Sequence, residues 1–372
     1  MRLTVGATLA LSFTLLTSAP ARAQSWPSPA DLSRWLSNPT VAPVPVPPVP
    51  TTCPTVEVAP NVRVPICAGN LPKPPPGVIV PEAVFGPLLL APSVDLRARG
   101  LDGPVKDQKQ TGVCYAFAIT SVLETSLRAQ GGRDVLSPLH VVAAGTWNDL
   151  FTSASGEAIA PEASWPYDPI KACRFETGSD ECEHAYGVRT NSWRSDPVLV
   201  AERDRVRGAG AVTVGKASTI TREPVAGIMN ALSAGRAVYG ILDIDSVAWD
   251  WRSARGGLLP EYAHGDRGAH AIAFVGYRLA SGARQFLIHN SWGPGWGENG
   301  YVWISEAGLR RHFVSAYVFD ATPGVAVARA PAPPTSTATT CAAGTAIDLG
   351  TGRCAAVCRS GLAPFMGQCW AG

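Results

Sequence analysis

The chain has 372 residues, of which 46% are hydrophobic and 16% are charged, so it is long enough to bury a sizeable core. Its formal net charge is +2, and no run of lysine or arginine appears, which argues against nucleic acid or an anionic membrane surface as a partner. The 9 cysteines are an odd number, so at least one thiol remains outside any disulfide.

The first 23 residues are typical of a secretory signal peptide. Arg2 supplies the positive charge at the start, a short apolar run covers residues 5–16, and residues 21–23 (Ala-Arg-Ala) form a small-x-small cleavage site. The run is too short for an ordinary membrane span, and no other segment is long and apolar enough to cross a bilayer. We therefore expect a secreted or periplasmic protein, cleaved after Ala23, in a compartment that permits disulfides.

Residues 24–92 form a proline-rich segment that holds 18 of the 33 prolines. This composition favours polyproline II conformation and cannot sustain long helices. We expect an extended leader or propeptide, pinned by a disulfide between Cys53 and Cys67. The alternative is a disordered spacer.

Residues 93–321 have the composition of a globular domain with periodic apolar segments. The first half favours helices, and the second half, from about Ala237, favours strands. Five strands are predicted there, at 237–244, 271–277, 285–289, 301–304 and 316–319. The division indicates an α+β protein with one mainly helical and one mainly β subdomain.

Beyond the globular domain the composition changes twice. Residues 322–340 are rich in Pro, Ala and Thr and are typical of a linker. Residues 341–372 hold four cysteines in a span too small for a conventional core, which predicts a small Cys-rich module stapled by disulfides. Four cysteines allow three connectivities, and the sequence does not choose among them. The module could bind a cell wall or a protein partner, or serve only as a stabilising cap.

Pairing within local groups leaves Cys114 as the free thiol. Cys173 and Cys182 form one such group, Cys53 and Cys67 a second, and the four tail cysteines a third. A structural zinc site is the alternative, but the spacings are irregular and no Cys–His cluster accompanies them.

Cys114 lies where a loop runs into a predicted helix. Apolar residues follow it at helical spacing over 117–127, and Gly131-Gly132 is a C-terminal signal. The unpaired N–H groups and the dipole at a helix N-terminus favour an anion, so a thiolate forms there more easily. Gln108, six residues upstream, could turn its amide into the same site. A buried structural cysteine is the commoner alternative.

His270 opens a buried-strand pattern that a turn signal and a second apolar run follow. In a hairpin centred near residue 280, His270 lies opposite Asn290. An amide oxygen that accepts from the imidazole N–H would hold one tautomer without adding charge. Trp292 lies on the same face if the strand continues, and would shield that bond from water. His289 should point to the other face, and a core histidine bonded to backbone is the alternative for His270.

Three motifs together resemble the papain family of cysteine proteases. Residues 108–118, which run from Gln108 through Cys114, resemble its nucleophile stretch. Residues 268–277 resemble its histidine strand, and residues 290–301 resemble its Asn-Ser-Trp-Gly stretch at nearly every position. Weaker similarities lie at 94–97 and 165–167. The resemblance covers the whole globular segment and includes the order Cys, His, Asn.

The resemblance implies a papain-like two-subdomain fold, with a helical left subdomain, an antiparallel β-barrel-like right subdomain and a cleft between them. It implies that Cys114 is the nucleophile and that His270 is general base and acid, the two forming a thiolate–imidazolium pair. Asn290 would orient His270, and Gln108 would donate to the oxyanion.

The activity implied is that of an exported thiol peptidase that works through an acyl-enzyme on protein or peptide substrates. No metal or organic cofactor is required. The sequence contains no His-His insertion that would close one end of a cleft, which favours endopeptidase action. Two alternatives stay open: an amidase or transpeptidase acting on cell-wall or crosslinked peptides, and a non-catalytic binding module.

The sequence departs from the family pattern in four places. Thr111 stands where the family has a cysteine, and Tyr115 where it has Trp. The family's Cys-Asn-Gly-Gly segment has no counterpart between 137 and 166, so the resemblance does not extend to that wall of the cleft. The leader also lacks the family's helical inhibitory propeptide. We nevertheless expect residues 24–92 to lie across or near the cleft until removed.

Overall fold

The computed structural model describes most of the globular segment and parts of its flanks. The described residues are 53–66, 74, 79–85, 90–144, 158–176, 180–207, 212–220, 223–323, and four short strands between 345 and 371. The predicted signal peptide, most of the predicted linker, and Cys67, Cys341 and Cys358 lie outside these ranges.

The helices of the described residues lie mainly in the first half of the globular segment, as predicted. They are α1 (Cys114–Ala129), α2 (Pro138–Ala144), α3 (Pro169–Phe175), α4 (Asp180–Tyr186), α5 (Pro197–Arg207), α6 (Pro224–Ser233), α7 (Trp251–Ala254) and α8 (Glu306–His312). Four of them begin with proline, whose fixed φ and missing N–H suit the first helical position. None of the helices in the described part of the chain has both the length and the apolar character that crossing a bilayer demands.

The strand residues of the described part of the chain lie mainly in the second half of the globular segment. They are β1 (Thr55–Ala59), β2 (Val62–Pro65), β3 (Val94–Asp95), β4 (Ala158–Ile159), β5 (Val212–Thr219), β6 (Val238–Asp245), β7 (Arg267–Ala280), β8 (Ala283–His289), β9 (Tyr301–Ser305), β10 (Phe313–Pro323), β11 (Thr345–Ile347), β12 (Cys354–Ala356), β13 (Leu362–Phe365) and β14 (Gln368–Ala371). The five predicted strands correspond to β6 through β10 and are confirmed.

Eight of these strands form one antiparallel sheet in the order β4-β5-β10-β6-β7-β8-β9, with β3 beside β7. The other six form two-stranded pairs, β1 with β2, β11 with β12 and β13 with β14. The α+β prediction is therefore confirmed. The sequence did not predict β5, which comes from the mainly helical half and pairs Thr219 with Tyr317 of β10. Gly215 of β5 lets that strand approach β10 closely, since a Cβ there would lie 3.0 Å from the Cβ of Asp320.

The hairpin of β7 and β8 differs in register from the prediction. Its turn is made by Ser281 and Gly282, whose φ angles of 50° and 78° suit the tight two-residue turn of a hairpin. The ladder is also irregular between Phe274 and Gly276. Because of this turn and this bulge, the predicted centre near residue 280 is wrong.

The observed register gives His270 a different strand partner from the predicted one. Ala273 of β7 pairs with His289 of β8, so His270 lies beyond the paired part of this ladder. His270 pairs instead with Leu242 of β6. Asn290 follows the end of β8, and its backbone N–H donates to the carbonyl of Gly300 at 3.0 Å.

Helix α1 is the central helix of the domain, and 13 of its 16 residues are buried. It packs on β7 and β10. Inside it, the buried carboxylate of Glu124 accepts from Lys106 Nζ at 2.7 Å and from the N–H of Leu136 at 2.8 Å. The helix ends at Ala129, before Gly131 with φ 87°, so the predicted helix from Cys114 to the Gly-Gly pair is confirmed.

Residues 53–66 of the leader are folded as a β-hairpin. β1 and β2 pair antiparallel around a turn that contains Asn61 with φ 62°. Val56 and Val64 are buried, because the stretch alternates β-branched residues with polar ones. The polyproline II prediction is therefore wrong for these residues. Cys53 is disulfide-bonded, while Cys67 lies outside the described residues.

The predicted bond between Cys173 and Cys182 is present and links α3 to α4. Glu176 completes a group with metal-ligand spacing, but the two sulfurs are bonded to each other and offer no thiolates to a cation.

Candidate active site

The free thiol lies at the start of the central helix. Cys114 is the first residue of α1 and is the free cysteine of the described residues. Its side chain is buried, and its Sγ accepts the backbone N–H of Ala271 at 3.4 Å. This contact joins the helix N-terminus to strand β7, so the predicted thiol lies beside the residue that follows His270.

The imidazole of His270 is fixed by one hydrogen bond. Its Nε2 lies 2.8 Å from Asn290 Oδ1, an oxygen that also accepts the N–H of Ser291 at 2.8 Å. An amide oxygen can only accept, so Nε2 carries the proton and Nδ1 keeps its lone pair. In the described part of the chain, the buried Nδ1 has no hydrogen-bond partner. A neutral imidazole held in this tautomer can take a proton at Nδ1.

Gln108 is held from two sides. Its backbone N–H donates to the carbonyl of Ser291 at 2.8 Å, and its Oε1 accepts from Ser291 Oγ at 2.6 Å. Its Nε2 donates to the carbonyl of Thr111 at 2.6 Å. One of the two amide protons is thus engaged, and the second is available to another acceptor.

Tryptophans enclose the imidazole. The predicted Trp292 stacks on His270, with ring centroids 4.6 Å apart and an interplanar angle of 28°. Trp249 meets the same imidazole edge-on at 5.9 Å, and Trp296 stacks on Trp249 at 6.1 Å. All three indoles are buried, so the bond between His270 and Asn290 is surrounded by apolar rings.

The sequence did not predict a role for Trp249 or Trp296. Trp249 is placed by a loop that the Asp245 side chain organises, accepting the N–H groups of Val247 at 2.9 Å and Ala248 at 3.0 Å. Trp296 is positioned by its indole N–H, which donates to the carbonyl of Trp249 at 3.1 Å. An Asp followed at short range by small residues and Trp could have suggested the loop, but nothing in the spacing pointed to the imidazole.

Burial sets the protonation of the pair. It raises the pKa of Cys114 to about 12, although the hydrogen bond from the N–H of Ala271 acts to lower it. The negative charge of Glu176 adds to the rise. Burial also lowers the pKa of His270 to about 4, although its hydrogen bond to Asn290 acts to raise it. The neutral thiol and neutral imidazole are therefore favoured at neutral pH. Burial thus opposes the thiolate–imidazolium pair expected from the sequence, and that pair stays a prediction.

The leader hairpin lies against the strand that carries His270. A Cβ at Gly268 would collide with the carbonyl oxygen of Ile66, so only glycine permits this approach. At the other end of the hairpin, the Glu57 carboxylate accepts from the indole N–H of Trp251 at 3.4 Å. The hairpin thus contacts the chain two residues before His270 and two residues after Trp249.

His289 faces away from this group, as predicted. Its Nδ1 lies 3.0 Å from the Asp102 carboxylate, which also accepts the Tyr301 hydroxyl at 2.8 Å. The structure therefore brings Cys114, Ala271 and the His270–Asn290 pair together and excludes His289 from them.

Comparison with known proteins identifies a family and several relatives of this chain. The model of the family described as "Papain family cysteine protease" matches residues 90–315. Cathepsin K of Mus musculus is 27% identical over 226 residues, covering 58% of this chain and 59% of that protein. Papaya proteinase 4 of Carica papaya is 30% identical over 230 residues, covering 59% of this chain and 56% of that protein. The chain thus spans less than two thirds of the length of these curated relatives.

Solved structures with similar backbones were also found. Xylellain, a cysteine protease from Xylella fastidiosa, gives a TM-score of 0.49 at 17% identity and covers 68% of this chain and 97% of its own. Digestive procathepsin L 3 from the larval midgut of Tenebrio molitor gives a TM-score of 0.46 at 22% identity, covering 68% and 75%. The family model matches more than half of the sequence, and on that ground this chain belongs to the papain family of cysteine proteases.

Proposed function

We propose that the protein is an exported thiol peptidase that hydrolyses peptide bonds through Cys114, His270 and Asn290, with Gln108 as oxyanion donor. The main support for this proposal is the state of the His270 imidazole. Asn290 fixes its tautomer, its Nδ1 lone pair is unengaged, and the N–H of the next residue touches the free thiol.

The first half of the reaction forms an acyl-enzyme. His270 Nδ1 takes the thiol proton while Cys114 Sγ attacks the peptide carbonyl. The oxyanion of the tetrahedral intermediate accepts the second amide proton of Gln108 and the backbone N–H of Cys114. One such donor typically stabilises the transition state by about 3–4 kcal/mol. His270 then gives its proton to the leaving amine, which departs and leaves a thioester on Cys114.

The second half releases the product. His270 takes a proton from water as the water oxygen attacks the thioester. The C–S bond then breaks, the carboxylic acid leaves, and His270 gives its proton to the Cys114 sulfur, which restores the thiol. The indoles of Trp249 and Trp292 keep bulk water away from the His270–Asn290 bond, which maintains the tautomer that both halves use. No metal or organic cofactor takes part in these steps.

Export and endopeptidase action belong to the same proposal. The predicted signal peptide supports export, and the buried Cys173–Cys182 bond suits an oxidising compartment. The lack of a His-His insertion in the sequence supports cleavage within chains rather than from their ends. A wall or protein partner for residues 341–372 remains a proposal based on composition alone.

We also propose that the protein is a zymogen. The leader hairpin supports this, because it packs on Gly268, two residues before His270, and because burial opposes the charged forms of both Cys114 and His270. Removal of the hairpin would admit water and favour the ion pair that a cysteine peptidase uses.

A peptide library incubated with the exported protein tests the function. We expect internal cleavage products with new carboxyl termini, and no products from the Cys114→Ala variant. Products joined to added amines would instead identify a transpeptidase. Peptides left intact by a folded protein whose leader has been removed would contradict the peptidase assignment.

A further inference from the structure

The backbone carbonyl of Gln108 is clamped by two hydroxyl groups. Thr111 Oγ1 donates to it at 2.7 Å, and Tyr167 Oη donates to it at 2.9 Å. The two hydroxyl oxygens lie 2.8 Å apart, so the three oxygens form one cluster. Burial raises the pKa of the Tyr167 phenol well above its ordinary value, so this hydroxyl keeps its proton at neutral pH and can donate.

Thr111 also closes the loop in the opposite direction. Its backbone carbonyl accepts the side-chain N–H of Gln108 at 2.6 Å, while its hydroxyl donates to the backbone carbonyl of the same residue. Ser291 Oγ donates to Gln108 Oε1 on the far side. These bonds favour one orientation of the amide, because a flipped amide would place its oxygen against the Thr111 carbonyl, which can only accept.

The loop needs such a clamp. Lys109, between the two bonded residues, has φ 57°, a left-handed conformation that residues with a side chain adopt rarely. Tyr167 connects the loop to the central helix, because its ring meets Phe117 of α1 edge-on with centroids 4.7 Å apart. The helix that begins with Cys114 and the loop that carries Gln108 are thus set against each other through one phenol ring.

We propose that Thr111 and Tyr167 are positioning residues that hold the free amide proton of Gln108 where the oxyanion forms. This inference rests on the proposed function. Neither residue touches the reacting atoms in this scheme. Loss of either hydroxyl would let the loop relax and weaken a bond made only in the transition state, so kcat would fall while KM stays nearly constant.

The test starts from the full chain, whose leader is removed by limited proteolysis before the assays. It removes one hydroxyl at a time, in Tyr167→Phe and Thr111→Val, with Thr111→Ser as the variant that keeps the hydroxyl. Two buried hydroxyls elsewhere supply matched controls. Tyr277→Phe removes a donor to the Ala91 carbonyl, and Thr125→Val removes a donor to the Ser121 carbonyl. Each protein is assayed for peptide cleavage, for inhibition by a peptide aldehyde and for alkylation of Cys114 by iodoacetamide.

We expect kcat to fall about tenfold in Tyr167→Phe and Thr111→Val, and aldehyde inhibition to weaken by a similar factor, since loss of a whole oxyanion donor costs about 10²–10³. Alkylation forms no oxyanion, so its rate should stay within about twofold of the parent. Thr111→Ser and both controls should retain the parent kcat. In a Gln108→Ala background, Tyr167→Phe should cause little further loss, because the group it positions is gone.

Three results would overturn the inference: an unchanged kcat in Tyr167→Phe, equal losses in cleavage and alkylation, or additivity with Gln108→Ala. If Thr111→Val does not fold, Tyr167→Phe and Thr111→Ser still test whether the two hydroxyls position Gln108. A Gln108→Ala variant that cleaves as fast as the parent would instead remove Gln108 from the proposed function.

Discussion

His289 and Asp102 form a fully buried pair behind the candidate active site, with Nδ1 3.0 Å from both carboxylate oxygens. The next residue, Asn290, directs its side chain to His270. Two neighbouring residues at the end of β8 are thus fixed by bonds on opposite sides, one to the segment before α1 and one to β7.

This pair predicts a stability effect. Asp102→Ala would leave His289 and the Tyr301 hydroxyl without their buried acceptor, and we expect a loss of about 1–3 kcal/mol in the free energy of unfolding. Asp102→Asn keeps an acceptor oxygen and should lose less. Urea denaturation of the three proteins measures this. Equal stability of parent and Asp102→Ala would show that the pair contributes nothing net.

The lowered pKa of His270 predicts how stability depends on pH. The unfolded chain binds a proton on this residue below its ordinary pKa of 6.5, while the folded chain does so only near about 4. Between these values the unfolded state holds more protons, so stability falls as pH falls through the window. The contribution amounts to about 3 kcal/mol by pH 4, at roughly 1.4 kcal/mol per pKa unit.

Denaturation of the parent and of His270→Ala at pH 7, 5.5 and 4 isolates this contribution. As pH falls, the parent should lose more free energy of unfolding than His270→Ala does. A constant difference across the three pH values would show that His270 keeps an ordinary pKa in the folded chain.

Trp249 is predicted to control the environment of His270. Trp249→Ala should cost about 3–5 kcal/mol of stability, as truncation of a buried aromatic does. It should also admit water to the imidazole and raise the pKa of His270 from about 4 towards its ordinary value. Trp193→Ala, a change in the helical half where Trp193 packs on Phe175, is the control. NMR titration should show a raised pKa of His270 in Trp249→Ala and an unchanged pKa in Trp193→Ala.

The sequence predicted the elements that carry regular patterns. Helix α1 and the five strands follow from apolar periodicity. The contact between His270 and Asn290 was predicted from the hairpin and is present, although the register used to predict it was wrong. The hairpin register was missed because a bulge leaves no pattern of its own. Trp249 was missed because its loop is shaped by bonds from Asp245 to backbone N–H groups, which any sequence with an acceptor there could make.

The hairpin within the leader and strand β5 were missed for a different reason. Average proline content outweighed the alternation of valines over 55–65, although that alternation sets which face is buried. β5 lies among helices in the sequence, and its partner Tyr317 is about 100 residues away, so no local signal identifies the pairing. Long-range pairings of this kind are decided by burial in the finished domain.

Truncation of the C-terminal region has a predicted limit. β10 runs to Pro323, which pairs with Val212 of β5, two residues beyond the predicted domain end at 321. A chain that stops after Pro323 should fold and cleave small peptides as the full chain does. A chain that stops at 320 loses the last pairs of this ladder and should be less stable. Failure of the longer truncation to fold would show that the Cys-rich segment is integral to the domain.

Gly268 provides a test of the leader as an inhibitor. A Cβ at this position would collide with the carbonyl oxygen of Ile66, so Gly268→Ala should lift the hairpin from β7 without changing any residue of the proposed triad. Exposure of Cys114 and His270 to water would favour the thiolate, and we expect alkylation of Cys114 at pH 7 to accelerate about tenfold or more. Alkylation of the unaltered full chain should be slow at pH 7 and still rising above pH 9, because its buried thiol has a pKa of about 12.

The matched control is the same substitution in a chain that begins at Ser93. There the hairpin is absent, so Gly268→Ala should leave both alkylation and peptide cleavage near the level of the unsubstituted short chain. Faster alkylation in the full chain alone assigns the effect to contact with the leader. Equal alkylation rates for the unaltered full chain and its Gly268→Ala variant would show that the hairpin does not limit access to the thiol. If the short chain and the full chain also cleave peptides equally fast, the leader is a spacer and not an inhibitor.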